Sequence, residues 1–242
     1  CNIDVNDNYA AFNGLGFQGA NASDELYLYQ NSFENNRTGI HLLSETKEQK
    51  APQEKVTVAA NYINNNNNED APTTTPEIFG YGIVVAGGGS NQILSNSVVD
   101  HIVGGIIITS QGDFLPENNK VIGNTISKVL NKTVGNGAID IQYFIPGRPD
   151  VMSSRNCFEN NVFGSSNIER IEEVLPCENA APGPFAASFR PKTKTKEPPL
   201  YSDISLPVLS EAGMPGDLKE IPKKIAKILP PDLSLLEVPI SR

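Results

Sequence analysis

The chain has 242 residues, a formal net charge of −9 and only 38% hydrophobic residues. That length admits one or two domains, the acidity argues against nucleic acid as a partner, and no apolar run is long enough for a transmembrane helix. Residues 177–242 hold nine Lys and Arg against eight Asp and Glu, so the charge sits on the first 176 residues, which carry −10.

A two-part unit recurs five times. One part reads apolar-x-x-Asn-x-apolar: Leu28…Asn31…Phe33, Val58…Asn61…Ile63, Ile93…Asn96…Val98, Val121…Asn124…Ile126 and Phe158…Asn161…Phe163. The other reads Gly-apolar-x-apolar and begins at Gly14, Gly39, Gly82 and Gly105, with Ala138 in the Gly slot of the fifth copy. Both parts alternate apolar and polar residues between Gly, Asn and Ser, the pattern of short strands. Gly82 and Gly105 are 23 residues apart. That is too short for strand-helix-strand units. It suits one coil of two or three strands, stacked on its neighbours as a parallel β-helix. Asn31, Asn61, Asn96, Asn124 and Asn161 then form a column at a turn, where Asn tolerates left-handed backbone and stacked amides bond to one another. A second column, Leu26, Val56, Asn91, Asn119 and Asn156, becomes Asn only in the later coils. The Gly column fits a corner of positive φ.

In chain order, residues 1–13 finish an incomplete coil. Ile3 and Asn6 match the apolar-x-x-Asn pattern, and Asn8 breaks it. Cys1 reads either as a lipid-bearing residue exposed by leader removal or as a start inside a longer protein, and the second is preferred. The coil of residues 37–66 carries a charged insert at 44–55. Next comes Asn64–Asn68 with Glu69, Asp70 and a Thr-Pro run, too polar to pack; Glu69 and Asp70 are the candidate Ca²⁺ ligands. Residues 80–101 and 102–130 are the most regular coils. The last, 136–163, is interrupted at Phe144–Asp150. Cys157 and Cys177 are a candidate disulfide, with two free thiols as the alternative. Beyond about Pro176 the chain turns Pro-rich, ending in a short amphipathic helix (Leu218, Ile221, Ile225, Ile228) that either covers the open end of the solenoid or touches a membrane or partner.

These columns resemble the right-handed parallel β-helix proteins of the pectate-lyase-like superfamily over about residues 3–163. The expectation is an all-β fold: a right-handed parallel β-helix over residues 1–176, truncated at its N-terminus, then a Pro-rich tail over 177–242 with one terminal helix. The resemblance implies substrate on an outward sheet flanked by loops, with carboxylates, Lys or Arg clustered there. The outward positions are then Gly16, His41, Val84, Ile107 and Asp140, followed by Gln18, Leu43, Ala86, Thr109 and Gln142. Asp140, Arg148 and His41 are the catalytic candidates; Asp140, Gln142, Thr109 and His41 are the binding candidates. His41 and Asp140 stand on the order of 14 Å apart, with the apolar Val84 and Ile107 between them, covered by a loop or partner. Asp100-His101 reads as an exposed turn pair. The paired Asp, Gly-His-Gly, Arg-Ile-Lys and Asp-Pro-His-Glu patterns of the enzymes are missing. The favoured function is therefore a secreted or cell-envelope scaffold that binds polysaccharide or another envelope protein. A polysaccharide-active lyase, epimerase or glycoside hydrolase, with part of its site outside the chain, is the alternative.

Overall fold

A computed structural model describes residues 3–47, 50–74, 77–127, 138–146 and 155–177, and the strand pair β17 (Ser188–Phe189) and β18 (Val238–Pro239). Two compact units divide the chain, residues 1–191 with 230–242, and residues 192–229. The second, with the expected helix around Ile221, lies outside the described residues.

Three parallel sheets build the first unit. Sheet 1 is β1 (Ile3–Asn6), β4 (Ser23–Tyr29), β7 (Glu54–Ala59), β10 (Gln92–Leu94), β13 (Lys120–Ile122) and β16 (Cys157–Glu159). Sheet 2 is β2 (Tyr9–Ala11), β5 (Ser32–Glu34), β8 (Tyr62–Asn64), β11 (Ser97–Val99) and β14 (Thr125–Ser127). Sheet 3 is β3 (Leu15–Ala20), β6 (Thr38–Leu43), β9 (Tyr81–Ala86), β12 (Gly104–Thr109) and β15 (Ile139–Phe144). The chain visits the sheets in turn, so every strand pairs with its equivalent one coil away. Inward residues therefore stack by type. Leu28, Val58, Ile93, Val121 and Phe158 line sheet 1, and Ile40, Ile83, Ile106 and Ile141 line sheet 3, all fully buried.

Each corner carries a polar ladder. At the corner between sheets 1 and 2, Asn8, Asn31, Asn61, Asn96, Asn124 and Asn161 stack in order. Each donates its backbone N–H and its Nδ2–H to the Oδ1 of the next, at 2.9–3.0 Å. The same Nδ2 of Asn61 and Asn96 also donates to the carbonyls of Leu28 and Val58 in the coil before. These buried amides are thus satisfied, as their burial requires. The rung in the first coil is Asn8, not Asn6: Ile3 and Val5 pair with Leu26 and Leu28, which puts Asn8 beneath Asn31. At the corner between sheets 2 and 3, Asn13, Asn36 and Asn66 stack and end on His101 Nε2. At the third corner Gln53, Asn91, Asn119 and Asn156 do the same. Gln53 reaches in from the insert where Val56 occupies the column.

The turn chemistry differs from expectation in one respect. The left-handed residue is not the ladder Asn but the one before it: Gln30, Ala60, Ser95, Gly123 and Asn160 precede the rungs at positive φ. Non-glycine residues pay about 1–2 kcal/mol for that conformation, which the two bonds at each rung offset. The glycine column also has another cause. Register places Gly16, not Gly14, beside Gly39, Gly82 and Gly105. None of the four has positive φ. A Cβ there would run into the backbone of the next coil, at 2.6 Å from Gly105 O in the case of Gly82. Gly14 instead lies against the Pro72 carbonyl.

The Asn64–Asn68 run is folded, contrary to its low complexity. Asn65 is the left-handed residue, Asn66 a fully buried rung, Asn67 donates to Asp100 O and accepts from Ile102 N–H, and Asn68 donates to Asn35 O. The loop that follows is held by Arg37, whose guanidinium donates to Glu69 O, pairs with Glu77 and lies 4.9 Å from the Phe79 ring centroid.

The C-terminal end of the stack is closed by residues 162–177. Glu172, in the short helix α1 (Ile171–Val174), accepts both donors of Asn161 at 2.8 Å and so stands in for the next rung. Ile171 is fully buried against the core, the Asn167 amide bonds the edge backbone of Tyr143, and Cys157 is joined to Cys177.

Candidate functional site

The outward columns of sheet 3 are Gln18, His41, Val84, Ile107 and Gln142, then Ala20, Leu43, Ala86, Thr109 and Phe144. Asp140 is not among them. It pairs with Gly105 and occupies the glycine slot, 6% exposed, where its Oδ2 accepts the backbone N–H groups of Gly164 and Ser165 at 2.8 and 3.0 Å. A side chain fits there because a turn, not another coil, follows. Asp140 thus anchors the terminal turn and is not accessible. His41 does lie on the outward face, but it is 3% exposed, and burial pulls its imidazole down to about 4. The Gln142 amide folds back to the carbonyls of Val103 and Ile139. Thr109 lies in the other column, beside Phe144. The sheet 3 candidates are therefore not assembled into one site. Val84, Ile107, Leu43 and Ala86 form a buried apolar cluster with Tyr81 against it. Arg148 lies outside the described residues.

The Asp100-His101 pair is buried, not exposed, at 7% and 4%. Asp100 is the left-handed residue and His101 the final described rung of its ladder, held neutral by burial with its imidazole down at about 3. Glu69 and Asp70 are exposed, and the described residues hold no group of three or more His, Cys, Asp or Glu able to bind a metal.

Two other places concentrate accessible polar chemistry. One is a cleft of about 300 Å³ at the far edge of sheet 3, between residues 44–47 and the tight hairpin Gln111–Phe114. Gly112, at positive φ, makes that turn, and the hairpin packs over Gly87. Glu45, Lys47 and Asp113 reach its rim.

The second is the outer face of sheet 1. Leu26 and Leu28 point inward, so Tyr27 and Tyr29 stand side by side outside, about 7 Å apart along the strand. Register sets Tyr27 between Asp4 and Thr57, and Tyr29 between Asn6 and Ala59. Gln92 and Lys120 continue the polar row, one coil at a time. Asn6 Nδ2 donates to the Tyr29 hydroxyl at 3.1 Å. Burial first, then the charges of Glu25 and Asp4, raise the Tyr27 phenol; burial, then Asp4 and Asp7, raise that of Tyr29. Around the corner on sheet 2, Tyr9 and Tyr62 flank Ser32, with Glu34 near both phenols. Sequence inspection missed this face because its partners are 23 to 30 residues apart. The one signal was Tyr alternating with Leu at 26–29.

Residues 1–126, about half the chain, match the family described as right-handed beta helix region. The chain belongs to the right-handed β-helix family. No curated protein and no solved structure matches it. The three stacked parallel sheets of this β-helix agree with the match, and among the described residues no helix is long and apolar enough to cross a membrane.

Proposed function

We propose that this β-helix is a binding scaffold for carbohydrate, with the ligand lying on the outer face of sheet 1. The register of Asp4–Tyr27–Thr57 and Asn6–Tyr29 carries the reading. A sugar ring offers an apolar C–H face and an equatorial rim of hydroxyls. Tyrosine rings meet the first with a large apolar surface, and carboxylate, amide and hydroxyl groups meet the second. The side chains stand on paired strands, so little ordering cost falls on binding. The polar row advances about 4.8 Å per coil, close to the length of one pyranose unit, which favours a linear polymer along the axis. Turnover is less favoured. Acid–base catalysis needs two groups that meet on one substrate, and His41 and Asp140 are both buried and stand three coils apart, about 14 Å. The Cys157–Cys177 disulfide supports an oxidising location, at the cell envelope or outside the cell.

Calorimetric titration with a panel of oligosaccharides tests the reading. Tyr27→Ala with Tyr29→Ala should weaken binding by about tenfold or more, the loss expected of central aromatic contacts. Silence across the panel, or affinity indifferent to both tyrosines, sinks it.

A further inference from the structure

Resting on that reading, we infer that the tyrosine face of sheet 1 selects glycans that carry free amino groups over neutral or uronic-acid glycans. Charge complementarity carries the argument. Residues 1–36 hold five carboxylates, Asp4, Asp7, Asp24, Glu25 and Glu34, and no Lys or Arg. Register puts Asp4 next to Tyr27; Asp7 directly follows β1 and Glu25 sits at the bulge within β4, both with left-handed backbone. Two cations lie closest. Arg37 is buried against Glu77 and Phe79, and Lys55, two residues before Thr57 on β7, pairs with Glu54 at 3.3 Å, so Asp4, Asp7 and Glu25 remain in excess. Lys120 shares the polar row but stands three coils from Tyr27, about 14 Å. That is beyond the screening length of physiological salt, about 8 Å. An ammonium group set near Asp4, Asp7 and Glu25 and over a tyrosine ring gains from charge and ring quadrupole together. A uronate brought to the same place meets only like charge.

The test compares four oligomers of equal length on the full chain by calorimetry at pH 5.5, where the amines are charged: glucosamine, N-acetylglucosamine, cello- and galacturonate oligomers. The glucosamine oligomer should bind about fivefold to tenfold more tightly than its acetylated twin at low salt. The advantage should vanish at about 0.5 M salt and fall in Asp7→Asn with Glu25→Gln. Asn suits the left-handed backbone at position 7; if the double variant does not fold, the salt series decides alone. Equal binding of the acetylated or neutral oligomer, or tighter binding of the uronate, overturns the inference and leaves carbohydrate binding standing. Binding by none of the four overturns both.

Discussion

At the residue scale, a ladder Asn is worth more than its turn. Asn96 is fully buried, accepts two bonds from Asn61, and donates to Asn124 and Val58. Asn96→Ala leaves buried donors on Asn61 unmatched and removes one bond each from Val58 O and from Asn124 Oδ1, which keeps the backbone N–H of residue 96. It should cost about 2–4 kcal/mol, read as a lowered urea midpoint. Changing the preceding Ser95, which holds the strained φ of 53°, to Gly should instead be neutral or stabilising. The histidines make stability depend on acid. Folded His101 has its pKa near 3 and His41 near 4, against 6.5 for the unperturbed group. The unfolded chain therefore binds more protons between those values. Stability from this source is complete above about pH 6.5 and declines as pH falls, by up to about 1.4 kcal/mol per unit for each histidine. His101→Asn keeps an acceptor for Asn66 and removes one titrating group. Its melting temperature should fall less steeply between pH 6.5 and 4 than that of the natural chain, and an unchanged slope would refute the assignment.

At the scale of elements, what closes the stack matters as much as what repeats. The short α1 is too brief to stand alone. It persists because Ile171 fills the end of the core and Glu172 takes the bonds of Asn161. Glu172→Ala should lower the thermal midpoint and loosen β16, while Glu172→Gln, which keeps an acceptor, should recover most of the loss. Reducing the Cys157–Cys177 bridge, which encloses about 20 residues, should cost about 3 kcal/mol on the chain-entropy view. Beyond Asn68, the loop after β8 is bound by the Arg37 side chain at Glu69 and Glu77. Arg37→Ala should therefore open residues 69–74 and 77–80 to limited proteolysis while the coil strands stay protected.

For the whole stack, strand contacts among the described residues run mainly between neighbouring coils, so stability is local and propagates along the axis. The first coil is the least buried described: Ile3 and Phe12 are 43% and 45% exposed, whereas Ile106 and Ile108 are fully buried. Native-state hydrogen exchange should therefore be fastest in β1–β3 and slowest in β9 and β12. Uniform protection along the coils would contradict this gradient.

The repeat spacing alone determined much of the molecule: a stacked coil of two or three strands, which the structure resolves as three, the column Asn31 to Asn161 and the late Asn91, Asn119 and Asn156. Identical turns recurring at short intervals admit one arrangement, and apolar alternation fixes which side faces in. Register at the irregular ends was not legible, because a pattern of period two survives a shift of two residues. Hence Gly14 was read for Gly16, Asn6 for Asn8, and Asp140 for Gln142 in the column of His41. Substitutes drawn from another segment were equally hidden: Gln53 and Glu172 stand in for ladder residues, and His101 ends a ladder that sequence spacing had not joined. Which residues share a surface was decided by tertiary structure alone. Asp4, Tyr27 and Thr57 become neighbours only when successive coils pair, and no local rule of sequence carries that information.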